Sequence, residues 1–87
     1  MATIVDAVAG AFGNAARTIR NARGGAARLL TAWLGWYEGF HGLRTIAAAL
    51  RLKSTGHVSG MIAAAERALR GDPGLQMRLE AAYAGIG

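Results

Sequence analysis

Residues Thr3–Tyr37 run TIVDAVAGAFGNAARTIRNARGGAARLLTAWLGWY, and the repeat of their apolar positions decides the fold. At a turn of about 100° per residue, Ile4, Val5, Val8, Phe12, Ala15, Ile19, Ala22, Ala26, Leu30, Trp33 and Tyr37 fall on one face. Arg17, Arg20 and Arg28 fall almost opposite, beside Asp6, Asn14 and Asn21. This is the pattern of one amphipathic helix, or of two in register, with one side for packing and one for water or polyanions. Gly24-Gly25 is the internal breaker, and because the helical phase survives it, a continuous or mildly bent helix is expected. Unbroken, it would be about 50 Å long at a rise of 1.5 Å per residue.

Downstream, Gly39-Phe40-His41-Gly42 is the first plausible turn, and Leu43, Ile46, Ala49 and Leu50 begin a second stripe that predicts a helix to about Leu52. Lys53-Ser54-Thr55-Gly56-His57 is expected to be a loop, since Val58, Met61, Ile62, Ala65 and Leu69 share a new face beyond it. Gly71 suits a helix end, Asp72 an N-cap and Pro73 a first helical position, so a last helix is predicted from Pro73 to about Ala84. No period-two strand pattern is present. The expected fold is a single all-α domain over residues 1–87, with a long N-terminal helix packed hairpin-like against two or three shorter ones and copies assembling laterally.

An 87-residue chain of 9.0 kDa has room for one marginal core. With Cys 0 and only His41 and His57, neither disulfides nor a metal supplements that core, which leaves self-association. Hydrophobic residues make up 53% but aromatics only 7%, so the apolar surface is largely alanine, alongside 13 glycines. Small side chains let helices approach closely along their length. Arginines interrupt every candidate membrane span, and Met1-Ala2-Thr3-Ile4-Val5-Asp6 lacks the basic start of a signal peptide, so the chain is expected to be unprocessed.

The net charge of +5 is unevenly placed. Residues 1–16 carry −1, residues 17–53 carry +6, and residues 54–87 balance to zero. A concentrated arginine surplus attracts phosphates, because the guanidinium fork matches phosphate oxygens and desolvates more readily than ammonium. The candidate phosphate contacts are Arg17, Arg20, Arg23, Arg28, Arg44, Arg51 and Lys53; the bland alternative is a solvated face that aids solubility.

Trp33, Trp36, Tyr37 and Phe40 form an aromatic stripe, expected to anchor another helix, with base stacking or a membrane-interface belt as the functional alternatives. Gly10 and Gly13, and the GxxxG pair Gly35 and Gly39, are candidate sites of close helix crossing in an assembly. His41 and His57 have no partner at metal spacing, and Ser54, Thr55 and Ser59 near His57 lack an orienting acid. Gly56-His57-Val58-Ser59-Gly60 lacks the ending of a phosphate loop. No catalytic site, metal, cofactor or small-molecule substrate is therefore expected.

In its size, its helical pattern and its alternation of small apolar and arginine-bearing faces, seen in Ala22-Arg23-Gly24-Gly25-Ala26-Ala27-Arg28 and Ile46-Ala47-Ala48-Ala49-Leu50-Arg51, the chain resembles major coat proteins of rod-shaped or filamentous archaeal viruses of the clavavirus type. The resemblance spans the whole chain as a style and carries no diagnostic motif. It implies a helical virion shell around double-stranded DNA, and the arginine-bearing face itself is expected to act by neutralising phosphates without base readout, multiplied over many copies. The competing expectations are a cationic, bacteriocin-like membrane-active protein with Trp33 and Trp36 in the interface, and a homo-oligomeric helical adaptor.

Overall fold

The computed structural model describes residues 1–21 and 25–86. Among the described residues the fold is all-α, as the periodicity implies: α1 (Ala2–Phe12), α2 (Ala16–Arg20), α3 (Ala26–Tyr37), α4 (Leu43–Ala49), α5 (Thr55–Gly71) and α6 (Pro73–Ile86).

The single long N-terminal helix is not formed; its residues make α1, α2 and α3. The first break is at Gly13, which takes the left-handed conformation at φ 68°. There the Gly13 N–H returns to the Gly10 carbonyl at 3.2 Å and the Asn14 N–H to the Ala9 carbonyl at 2.8 Å, which satisfies carbonyls that α1 would otherwise leave open. Ala15 is extended, and a second break follows at Asn21, also extended. The Gly24 half of the expected Gly24-Gly25 bend lies outside the described residues, as do Ala22 and Arg23. The chain therefore folds back on itself, within 29 × 24 × 24 Å, where an unbroken helix over these residues would be about 50 Å long.

Helix α3 is the central element and packs on α1, α2, α4 and α5. It buries Ala27, Leu30, Thr31, Ala32, Leu34 and Gly35, a wider arc than the one stripe expected of it, because neighbours cover it on several sides. The core is aliphatic: Val5, Val8, Ile19, Leu30, Leu34, Ile46, Leu50 and Val58 are its largest fully enclosed apolar side chains. Helix α6 lies along α1, where a Cβ added at Gly85 would stand 3.2 Å from the Ala7 Cβ, so small residues let these two backbones close up.

Helix α4 stops at Ala49, short of the expected Leu52. Its end repeats the α1 device, with Arg51 N–H on the Ala48 carbonyl at 3.2 Å and Leu52 N–H on the Ala47 carbonyl at 2.8 Å, but the left-handed position holds Arg51, at φ 56°, where α1 has a glycine. Helix α5 begins inside the expected 53–57 loop, at Thr55, because Ser54 is a true N-cap whose hydroxyl accepts the His57 N–H. The α6 start is as the sequence implies: Asp72 Oδ1 accepts the Leu75 N–H at 3.1 Å and Pro73 opens the helix.

Candidate nucleic-acid interface

Arg28 organises the basic region from beneath. It is buried, and burial holds its guanidinium below the ordinary arginine pKa. Nη1 donates to the carbonyls of Ile19, at 2.6 Å, and Asn21, at 3.0 Å, and Nη2 donates to the Leu50 carbonyl at 3.0 Å. One side chain thus joins the last turn of α2, the start of α3 and the end of α4, supplying donors where helix C-termini leave carbonyls unpaired. Arg28 is withdrawn by this from the set of phosphate contacts: it is buried, with three of its N–H donors on backbone oxygens.

Because Arg28 ties these ends together, the cations on α2 and just after α4 share one end of the fold. Arg17 is exposed and Arg20 is part-buried, one turn further along α2, with its Nε enclosed and unpartnered. Arg51 is exposed and donates from Nη1 to the Asn21 Oδ1 at 3.3 Å, and exposed Lys53 follows two positions on. Arg44 is also exposed, but it stands in the first turn of α4, about 10 Å along the axis from Leu50. Arg23 lies outside the described residues. The sequence-predicted set therefore resolves into a cluster of Arg17, Arg20, Arg51 and Lys53, a separate Arg44 and a buried Arg28.

Three of the five acids are occupied elsewhere. Glu66 accepts the Tyr37 hydroxyl, Glu38 accepts the Tyr83 hydroxyl at 2.8 Å, and Asp72 caps α6. The hydrogen bonds of Arg28 and Arg51 run to carbonyl and amide oxygens rather than to carboxylates. The clustered charge is consequently not neutralised by those acids.

The residues expected to serve assembly divide. Gly35 and Gly39 are used inside the chain: a Cβ on Gly35 would stand 3.1 Å from the Met1 sulfur, and one on Gly39 would stand 2.6 Å from the His41 ring and 2.7 Å from Ile4. Gly13 caps α1. Gly10 is exposed with open space above it, in a shallow groove between α1 and α6. Trp33 is partly buried, its ring centroid 5.1 Å from that of Tyr37. Trp36, Tyr37 and Phe40 face solvent. Sequence reasoning missed Asn21 as the partner of Arg51, Glu38 as that of Tyr83 and Glu66 as that of Tyr37; no local signal marks pairs 30, 45 and 29 positions apart.

Among the described residues no group of His, Asp and Glu stands close enough to hold a metal ion, and no helix is long and apolar enough to cross a membrane. Comparison with protein families, with curated proteins and with solved structures finds no match to this chain.

Proposed function

We propose that this chain is a structural, non-enzymatic protein that holds double-stranded DNA by its phosphates, many copies acting together as a packaging coat of the virion type. The observation that carries the reading is the convergence of Arg17, Arg20, Arg51 and Lys53 on one end of the fold, over a buried Arg28 that already satisfies the helix-end carbonyls. The bland role for bases at helix C-termini is to compensate the helix dipole. Arg28 performs that role here, so the outer cations are surplus to the fold and suited to phosphate oxygens. Arg51 adds a second reason: a non-glycine residue held at positive φ costs on the order of 1–2 kcal/mol, and such strain concentrates at functional positions.

The contacts would be to backbone rather than bases, since these cations sit on the short α2 and just after the short α4, with no long helix to lie in a major groove. Affinity per copy is then modest, and tight packaging comes from repetition. The competing membrane reading asks the aromatic stripe and the bases to share one face. They stand instead toward opposite ends of α3, with Arg28 near its start and Tyr37 at its end.

Fluorescence anisotropy with a 20-base-pair duplex tests the proposal. The expected result is binding whose log affinity falls with log salt at a slope of about −3, for three or four phosphates neutralised, and which is indifferent to base sequence. Binding independent of salt, or none at 50 mM salt, would overturn it. Arg17→Gln with Lys53→Gln should reduce the slope by about 2, whereas Arg67→Gln, on α5 outside the cluster, should leave it unchanged.

A further inference from the structure

At the end of α3, Trp36, Tyr37 and Phe40 line a shallow hollow of about 370 Å³ with His41 and Gly42. Trp36 keeps 41% of its surface exposed, Tyr37 44% and Phe40 87%. Phe40 is the less expected of the three. It sits at φ 52°, and with Arg51 it is one of two non-glycine residues at positive φ among the described residues. The left-handed turn is held within the chain, since the next N–H, that of His41, returns to the Gly35 carbonyl at 2.9 Å; the Phe40 ring, by contrast, is left as apolar surface open to a second surface outside the molecule.

The charge around the hollow indicates which surface. Glu38 precedes Phe40 by two positions, and Glu66 reaches the stripe through the Tyr37 hydroxyl. Each carboxylate accepts a phenol hydroxyl on one oxygen, Glu38 from Tyr83 and Glu66 from Tyr37, and the other oxygen takes no hydrogen bond among the described residues. Exposed Arg44 stands two positions beyond Gly42, on the first turn of α4. The patch therefore has acid and base beside an aromatic centre, a mixture of signs that is complementary to itself. In area, three rings exposed to this degree offer roughly 350 Å² per copy, taking about 200 Å² per ring. Doubled, with rim contacts, this falls below the 1,200–2,000 Å² of a stable interface and matches a weak, reversible one.

We propose that the Trp36–Tyr37–Phe40 patch is a homodimer interface that meets the same patch of a second copy about a two-fold axis, with Arg44 of each copy facing the free carboxylate oxygens of the other. This rests on the self-assembling half of the function proposed above and names its surface. A dimer joined at this end of α3 leaves both basic ends free, so one dimer could bridge two stretches of duplex.

Sedimentation velocity of the full chain from about 1 to 500 µM tests it, with an expected reversible monomer–dimer equilibrium and a dissociation constant on the order of 10–100 µM. Phe40→Gly should weaken dimerisation at least tenfold while the melting temperature stays level or rises, because glycine accepts φ 52° without strain. Arg44→Glu should also weaken it, and Arg44→Glu mixed with a variant carrying Glu38→Arg and Glu66→Arg should restore a heterodimer. A wild-type chain that stays monomeric throughout would overturn both this interface and the self-assembly reading. Association that survives Phe40→Gly unchanged would overturn this interface alone, and so would Phe40-dependent binding of the monomer to vesicles of mixed neutral and anionic lipid. The DNA proposal is read separately, since the Phe40→Gly monomer should keep the wild-type salt slope on a short duplex.

Discussion

Arg28 Nη2 donates to the carbonyl oxygen of Leu50 at 3.0 Å across 22 positions of chain, while Nη1 of the same group holds Ile19 and Asn21. This side chain, rather than an apolar cluster alone, fixes how α2, α3 and α4 meet. Replacing it with methionine keeps much of its volume and strands three carbonyls at a buried junction. Loss of charged hydrogen bonds in such a place costs about 3 kcal/mol, so Arg28→Met should lower the melting temperature by roughly 12–24 °C for a domain of this size. Lysine, with a single compact ammonium, should fall between the two. Thermal melts followed by circular dichroism check this. A shift below about 3 °C would mean that water replaces the guanidinium without loss.

Arg51 separates stability from binding. Its left-handed conformation at the α4 end suits glycine, and its side chain makes one long hydrogen bond, to Asn21 at 3.3 Å. Arg51→Gly should therefore stabilise the fold by about 1 kcal/mol, seen as a higher urea midpoint, while DNA affinity falls and the salt slope shrinks by about 1. If both properties fell together, Arg51 would be structural.

The helical content, the Asp72-Pro73 start of α6 and the apolar core positions Ile4, Val5, Val8, Ile19 and Leu30 were legible because each is encoded within a few residues. The break at Gly13 was not. A glycine inside a helical pattern costs only about 1 kcal/mol, so periodicity alone does not distinguish one that is tolerated from one that caps. Here the left-handed cap wins because folding back lets α1 lie against α6, far along the chain. Arg28 misled for a related reason. Its place opposite the apolar stripe marks it as solvent-facing in an isolated helix, and only the arrival of α2 and α4 buries it. For the same reason the basic cluster is legible as composition but not as geometry, since Arg51 joins Asn21 through a fold-back of 30 positions.

Glycine substitutions within α1 and just beyond α3 should act with opposite sign. A Cβ at Gly39 would crowd both His41 and the core residue Ile4, so Gly39→Ala should cost about 1–2 kcal/mol. Gly10 lies within α1 with nothing near its missing side chain, so Gly10→Ala should add about 0.5–1 kcal/mol through helix propensity. Paired urea titrations distinguish the two. Destabilisation by Gly10→Ala would mean that the α1–α6 groove is occupied in solution, by a second copy among other candidates.

Alkaline pH gives a further handle on the junction of α3 and α6. Partial burial, followed by the hydrogen bond to Glu38 and the charge of that carboxylate, pushes the Tyr83 hydroxyl up to about 12, against about 10 in an unfolded chain. Tyr37 is shifted the same way, first by its hydrogen bond to Glu66. Folding thus favours the protonated phenol. The associated stability is fully present below pH 10 and is lost as pH rises through about 12, because the unfolded state releases its proton first. Absorbance titration at 295 nm of the Tyr37→Phe variant should show Tyr83 ionising well above pH 10.5, and the urea midpoint of that variant should fall between pH 10 and 12 more steeply than that of Tyr37→Phe/Tyr83→Phe. The two variants share Lys53 and every arginine, so the difference in slope belongs to Tyr83. An ionisation midpoint near 10, with parallel slopes, would mean that the Tyr83–Glu38 contact does not persist in solution and that the end of α6 is free of α3.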